Sequence, residues 1–188
     1  MGKVDVNFKR ILNENSKFQK NADARVQKKF NKSKRKFLSD FDNHPITKEI
    51  EDGPNAKNSS NTLNGIGNLF SFIGFYNEKN PIQELRSILL NNFSISKKVS
   101  SDSTQFIIDY PTLNKVKKST PMPWENGNSW VVNIEKGISG FSNYMYKKFI
   151  NGRSKEGLQS ERKQRPGNFK KTKYLTEIID NFIKEITS

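Results

Sequence analysis

The chain has 188 residues, no cysteine and a formal net charge of +14. One domain of this length buries enough surface to fold without metal or disulfide, and the missing cysteine excludes a thiol nucleophile, a thiolate metal site and a disulfide framework. The charge is segregated: residues 17–36 hold nine basic side chains against Asp23, and residues 147–173 hold ten against Glu156 and Glu161. Such separation fits either contact with a polyanion or a solvated basic face.

The first ten residues, MGKVDVNFKR, lack the apolar core of a signal peptide, and Val6 stands where a myristoylation motif wants Ser or Thr. The longest apolar texture, residues 69–75, is far short of a membrane span. The expectation is a soluble protein with no membrane partner.

Residues 8–41 are expected to form one long basic helix or two in line. Phe18, Ala22, Val26, Phe30, Phe37 and Phe41 fall four or seven apart and make one stripe. Lys20, Lys28, Lys32 and Arg35 fall away from it. Asn43-His44-Pro45 then reads as a capped helix start, with Ile46 and Ile50 on one face and a stop at Gly53-Pro54. Glu49, Glu51 and Asp52 are expected at a solvated helix end.

In residues 62–76, Gly65, Gly67 and Gly74 bound a strand-like apolar piece over 69–75. No third glycine completes a dinucleotide fingerprint and no Gly-Lys-Ser/Thr follows. Asn80-Pro81 caps a helix lined by Ile82, Leu85, Leu89 and Phe93, with Gln83 placed for a capping box. Residues 95–99 and 104–110 read as two strands joined by a serine-rich turn, and residues 112–118 as a short turn or helix.

Residues 120–146 contain both tryptophans, Trp124 and Trp130, with Met122, Tyr144 and Tyr146 nearby. Pro121 and Pro123 stiffen the approach, Asn126-Gly127-Asn128 reads as a turn, and Val131, Val132 and Ile134 form a β-branched run. Large aromatics beside tight turns fill a core or form a partner surface. For Met122, Trp124, Trp130, Tyr144 and Tyr146 the expectation pursued is a subunit or partner interface.

Residues 147–171 form a basic loop with no apolar period. Arg153, Lys155, Arg162, Lys163, Arg165, Lys170 and Lys171 are its candidates for contact with DNA or an acidic partner. Thr172 is expected to cap a last helix in which Leu175, Ile178, Ile179, Phe182, Ile183 and Ile186 keep amphipathic spacing.

Catalytic signatures do not emerge. His44 is the single histidine, a poor metal ligand without a partner, and a hydrolytic site on Asp40, Asp42, Glu49 and Glu51 has no positive support. No catalytic residue, metal ligand or cofactor is assigned. Lysine outnumbers arginine, which suits point-charge attraction to phosphate better than bidentate base reading.

His44-Pro45-Ile46-Thr47, the run Gly67-Asn68-Leu69-Phe70-Ser71-Phe72 and Ser129-Trp130, in this order of elements, resemble small virion proteins of tailed bacteriophages. The likeness is to the head–tail joining and tail-completion (minor tail) proteins of the neck. It implies a single α+β domain over residues 1–188, with a long N-terminal helix and a C-terminal amphipathic helix packed on a small twisted, mainly antiparallel sheet. In that layout the core is built from residues 43–146 and 172–188. The resemblance further implies a non-enzymatic structural protein of the virion, assembled in the host cytoplasm as a homo-oligomeric ring, hexameric or dodecameric. Neighbouring neck, portal or tail proteins would be its partners, with non-specific DNA contact. The long basic stretch 147–173 departs from the family pattern and leaves the position in the neck open. The competing expectation is a sequence-independent nucleic-acid-binding protein packaged with the genome.

Overall fold

The computed structural model describes residues 2–9, 16–63, 67–76, 80–100, 103–123, 125–137 and 171–188. The fold is α+β. Strand β1 (Gly2–Lys9) pairs antiparallel with β3 (Ser103–Tyr110), whose other edge takes β2 (Ser94–Val99), giving the order β1-β3-β2. The central strand alternates as a half-buried strand must: Thr104, Phe106 and Ile108 are buried, and the residues between them are half-buried. Val4 and Ile95 both lie opposite Ile108, so one apolar row crosses all three strands and faces the core.

Helix α1 (Ser16–Asp42) runs along α7 (Leu175–Thr187), which also meets β1. The junction is aromatic. The Phe93 ring lies edge-on to Phe30, Phe37 and Phe182 with centroids 6.3, 5.1 and 5.1 Å apart, and Tyr110 leans on Phe182 at 5.8 Å. Edge-to-face geometry adds to the area these rings bury. Helices α2 (Pro45–Glu51), α3 (Leu69–Ile73) and α4 (Pro81–Asn91) pack beside this junction. Next in the chain come α5 (Leu113–Ser119), the two-stranded ribbon β4 (Pro121–Met122) and β5 (Glu125–Ser129), and α6 (Trp130–Lys136).

Five features differ from those expected. Phe8 lies in β1, not in the long helix: Val4, Val6 and Phe8 alternate with polar residues at a strand's period of two, and the helix starts at Ser16. The apolar run after Asn68 is helix α3, not a strand. The Asn68 side chain accepts the Ser71 N–H at 2.9 Å, and Gly74 closes the helix in the left-handed region. The β-branched run 131–134 is likewise helical, with the Ser129 hydroxyl accepting from the Val132 N–H and Gly137 ending the helix at φ +89°. Gly127 sits within β5, and the reversal falls at Pro123 instead of at residues 126–128. Finally, α7 begins after Tyr174, beyond the expected Thr172 cap.

Candidate functional site

Helix α1 has two faces of different chemistry. Its buried side carries Phe30, Ser33, Phe37 and Phe41. The exposed residues of its described part are Lys20, Asn21, Ala24, Arg25, Gln27, Lys28, Asn31, Lys32, Arg35, Lys36 and Ser39, with no acid among them. The three acids of the helix are half-buried at its margins, and each is held by a cation. Asp23 takes Lys97 Nζ at 2.7 Å through both carboxylate oxygens. Asp40 accepts from Lys36 at 3.0 Å, and Asp42 takes Arg86 in a bidentate pair at 2.8 and 3.0 Å. The hydrogen bond to Asp40 raises the Lys36 pKa, and the bond to Asp42 raises that of Arg86, so both cations stay charged.

Arg25, Lys28, Lys32 and Arg35 have no ion pair among the described residues. They lie on the side of the helix away from the phenylalanine stripe. Gln27 Nε2 donates to Asn31 Oδ1 at 3.2 Å, so the amides between the cations form a short ladder of their own.

The candidate interface residues fare unevenly. Met122 and Trp130 are each only 3% exposed and belong to the core. Trp130 meets the Phe75 ring edge-on at 5.5 Å, and its backbone N–H is fixed to the Thr120 carbonyl. This corrects their expected place at a partner surface: side chains already buried within one chain present no area to another. Trp124, Tyr144 and Tyr146 lie outside the described residues, as do Arg153, Lys155, Arg162, Lys163, Arg165 and Lys170. Lys171 is described and exposed, three positions before the buried Tyr174.

Of the acids expected at a solvated helix end, Glu51 and Asp52 are exposed at the end of α2, but Glu49 is placed differently. Glu49 is fully buried, and its two oxygens accept the N–H groups of Ser60 and Leu69, each at 2.8 Å. It therefore braces the connection between α2 and α3 and shares no site with Asp40 or Asp42. The signal was available in the sequence, because Glu49 falls on the Ile46–Ile50 face of α2. Glu135 was missed as well. It accepts from the Thr176 N–H at 2.8 Å and the Thr176 hydroxyl at 2.6 Å, capping α7 from outside that helix. His44 serves as the N-cap of α2, its Nδ1 accepting from the Ile46 N–H at 3.2 Å.

Among the described residues no group of three or more His, Cys, Asp or Glu is arranged to hold a metal, and no helix is long and apolar enough to cross a membrane. Comparison of the chain with protein-family models, curated proteins and solved structures finds no match.

Proposed function

We propose that this chain is a structural protein of a tailed-phage virion, part of the neck connector or tail-completion ring through which DNA passes. The supporting observation is how its acidic side chains are used. Glu49 and Glu135 hold backbone N–H groups, while Asp23, Asp40 and Asp42 pin the long helix to its surroundings or to itself. These are the duties of a rigid scaffold element. The element order and the residues that resemble neck proteins supply the assignment to a phage virion.

In this reading Trp124, Tyr144 and Tyr146 remain the aromatic candidates for subunit contact, and Arg153, Lys155, Arg162, Lys163, Arg165, Lys170 and Lys171 contact DNA or an acidic patch on the adjoining ring. The acid-free outer face of α1 favours one second reading, a nucleic-acid-binding protein packaged with the genome. Mass photometry with and without duplex DNA separates the two. A neck protein forms a discrete ring without DNA, whereas a packaging protein is monomeric alone and multimerises on DNA. Trp124→Ala is expected to weaken the ring while leaving the melting temperature of the monomer unchanged.

A further inference from the structure

We propose that the outer face of α1, marked by Arg25, Lys28, Lys32 and Arg35, docks onto the phosphate backbone of duplex DNA without reading its sequence. The four cations recur at intervals of three, four and three residues, a spacing that keeps them in one row along a helix. At about 1.5 Å per residue that row is roughly 15 Å long. One strand of a duplex presents a charge about every 3.4 Å of axis, so the row spans about four phosphates. Four exposed cations on flexible stems thus lie within reach of about as many anions.

The rest of the face argues for phosphate over other anionic partners. Each acid on the described part of the helix is neutralised in a pair with a cation, Asp23 with Lys97, Asp40 with Lys36 and Asp42 with Arg86, so none opposes the cation row as a free charge. The exposed positions between the cations are Gln27 and Asn31, amides of the kind that donate to phosphate oxygens. A surface for an acidic protein would carry an apolar or aromatic centre, yet Ala24 is the only apolar residue among the described exposed positions of α1. Those described positions also hold no aromatic ring on which the bases of a single strand could stack. What remains is a straight, polar, purely cationic row, the chemistry that positions a duplex by its backbone.

This inference rests on the DNA contact in the proposed function but not on the ring, so the two fail separately. The test is the affinity of the full chain for two duplexes of unrelated sequence, measured by fluorescence anisotropy over a range of salt. The variant combines Arg25→Gln, Lys28→Gln, Lys32→Gln and Arg35→Gln, since glutamine keeps helix propensity. The slope of log affinity against log salt is expected to fall by about 3–4, equally on both duplexes. A control with Lys115→Gln, Lys117→Gln and Lys118→Gln removes three exposed cations from α5 and is expected to keep the wild-type slope. Should the fourfold variant melt early, Lys28→Gln with Lys32→Gln carries the test, with an expected loss of about 2. An unchanged slope overturns the proposal, as does an equal loss in the α5 control, which would mark a net-charge effect. Wild-type binding to poly-glutamate as tight as to duplex at the same salt also overturns it and assigns the face to an acidic protein. Mass photometry of the DNA-free fourfold variant reads the ring independently.

Discussion

The hydroxyls of Thr47 and Tyr174 lie 2.6 Å apart, both fully buried, and join α2 to the entry of α7 across 127 residues of sequence. Around that bond the Tyr174 ring stacks on Phe41 at 6.2 Å and tilts against His44 at 4.8 Å. Burial pushes the tyrosine pKa up, so the phenol stays protonated at any physiological pH. Tyr174 is the first buried residue of the described stretch 171–188, so this contact anchors the entry of α7. Tyr174→Phe keeps the rings but leaves the Thr47 hydroxyl without this partner, at an expected cost of about 1–3 kcal/mol. A double-mutant cycle with Thr47→Val in urea checks it. Effects that add to within about 0.5 kcal/mol would show that the two hydroxyls are not coupled.

Glu49 is a buried carboxylate whose described partners are the N–H groups of Ser60 and Leu69. Hydrogen bonds to a charged group are worth about 1.5–3 kcal/mol each, and leaving the two donors buried and unpaired adds to the loss. Glu49→Ala is therefore expected to cost at least about 3 kcal/mol. Its hydrogen-exchange signature is local, with the Ser60 and Leu69 amides losing protection before those of β3. Uniform loss across the molecule would mean that the carboxylate stabilises the whole fold and not this connection.

What the sequence made legible followed the strength of local signals. The spacing from Leu175 to Ile186 predicted α7, and Asn80 caps α4 as read, its side chain accepting the Gln83 N–H at 3.0 Å. Residues 95–99 and 104–110 were recognised as strands, but their third partner was not. Residues 2–9 have period-two alternation, yet only long-range pairing with β3 makes them a strand. In α3 and α6, one capping side chain and one left-handed glycine outweighed an apolar or β-branched run, because such runs fit a short buried helix as well as a strand. At the candidate site the basic face of α1 was visible as a departure from the phenylalanine stripe. The pairing of Asp23 and Asp42 was not, since it depends on Lys97 and Arg86 arriving from distant segments. Trp130 could have been core or contact surface from composition alone, and only the Phe75 packing decides for core.

Phe182 sits at the centre of the ring cluster, edge-on to Phe37 at 6.0 Å as well as to Phe93, and is 2% exposed. Phe182→Ala is expected to cost about 3–5 kcal/mol, through lost transfer energy and the cavity left among rings that cannot collapse into it. Phe182→Leu retains most of the volume and is expected to cost less than half as much. Chemical denaturation of the two variants gives the comparison. Equal losses would show that ring geometry, and not filled volume, governs this junction.

His44 provides the clearest pH dependence, because the chain has no other histidine. Its Nδ1 accepts the Ile46 N–H, a role open only to an unprotonated nitrogen. Burial holds the imidazole pKa below its ordinary value, and the charge of Glu177 only partly opposes this. The neutral Tyr174 ring forms another wall of its environment. Between the two pKa values the unfolded chain binds more protons than the folded one, so stability rises with pH. The contribution is complete above the unfolded value of about 6.5 and is lost as pH falls through the lower folded value. Acidification from neutral pH should therefore loosen the first turn of α2. His44→Asn keeps a side-chain acceptor at the N-cap but does not titrate, so its stability curve should be flatter over the same range. An NMR titration of the imidazole measures the folded pKa directly, and a midpoint at or above 6.5 would refute the assigned cap. A shifted midpoint with equally steep stability curves for both proteins would instead assign the pH dependence to the carboxylates.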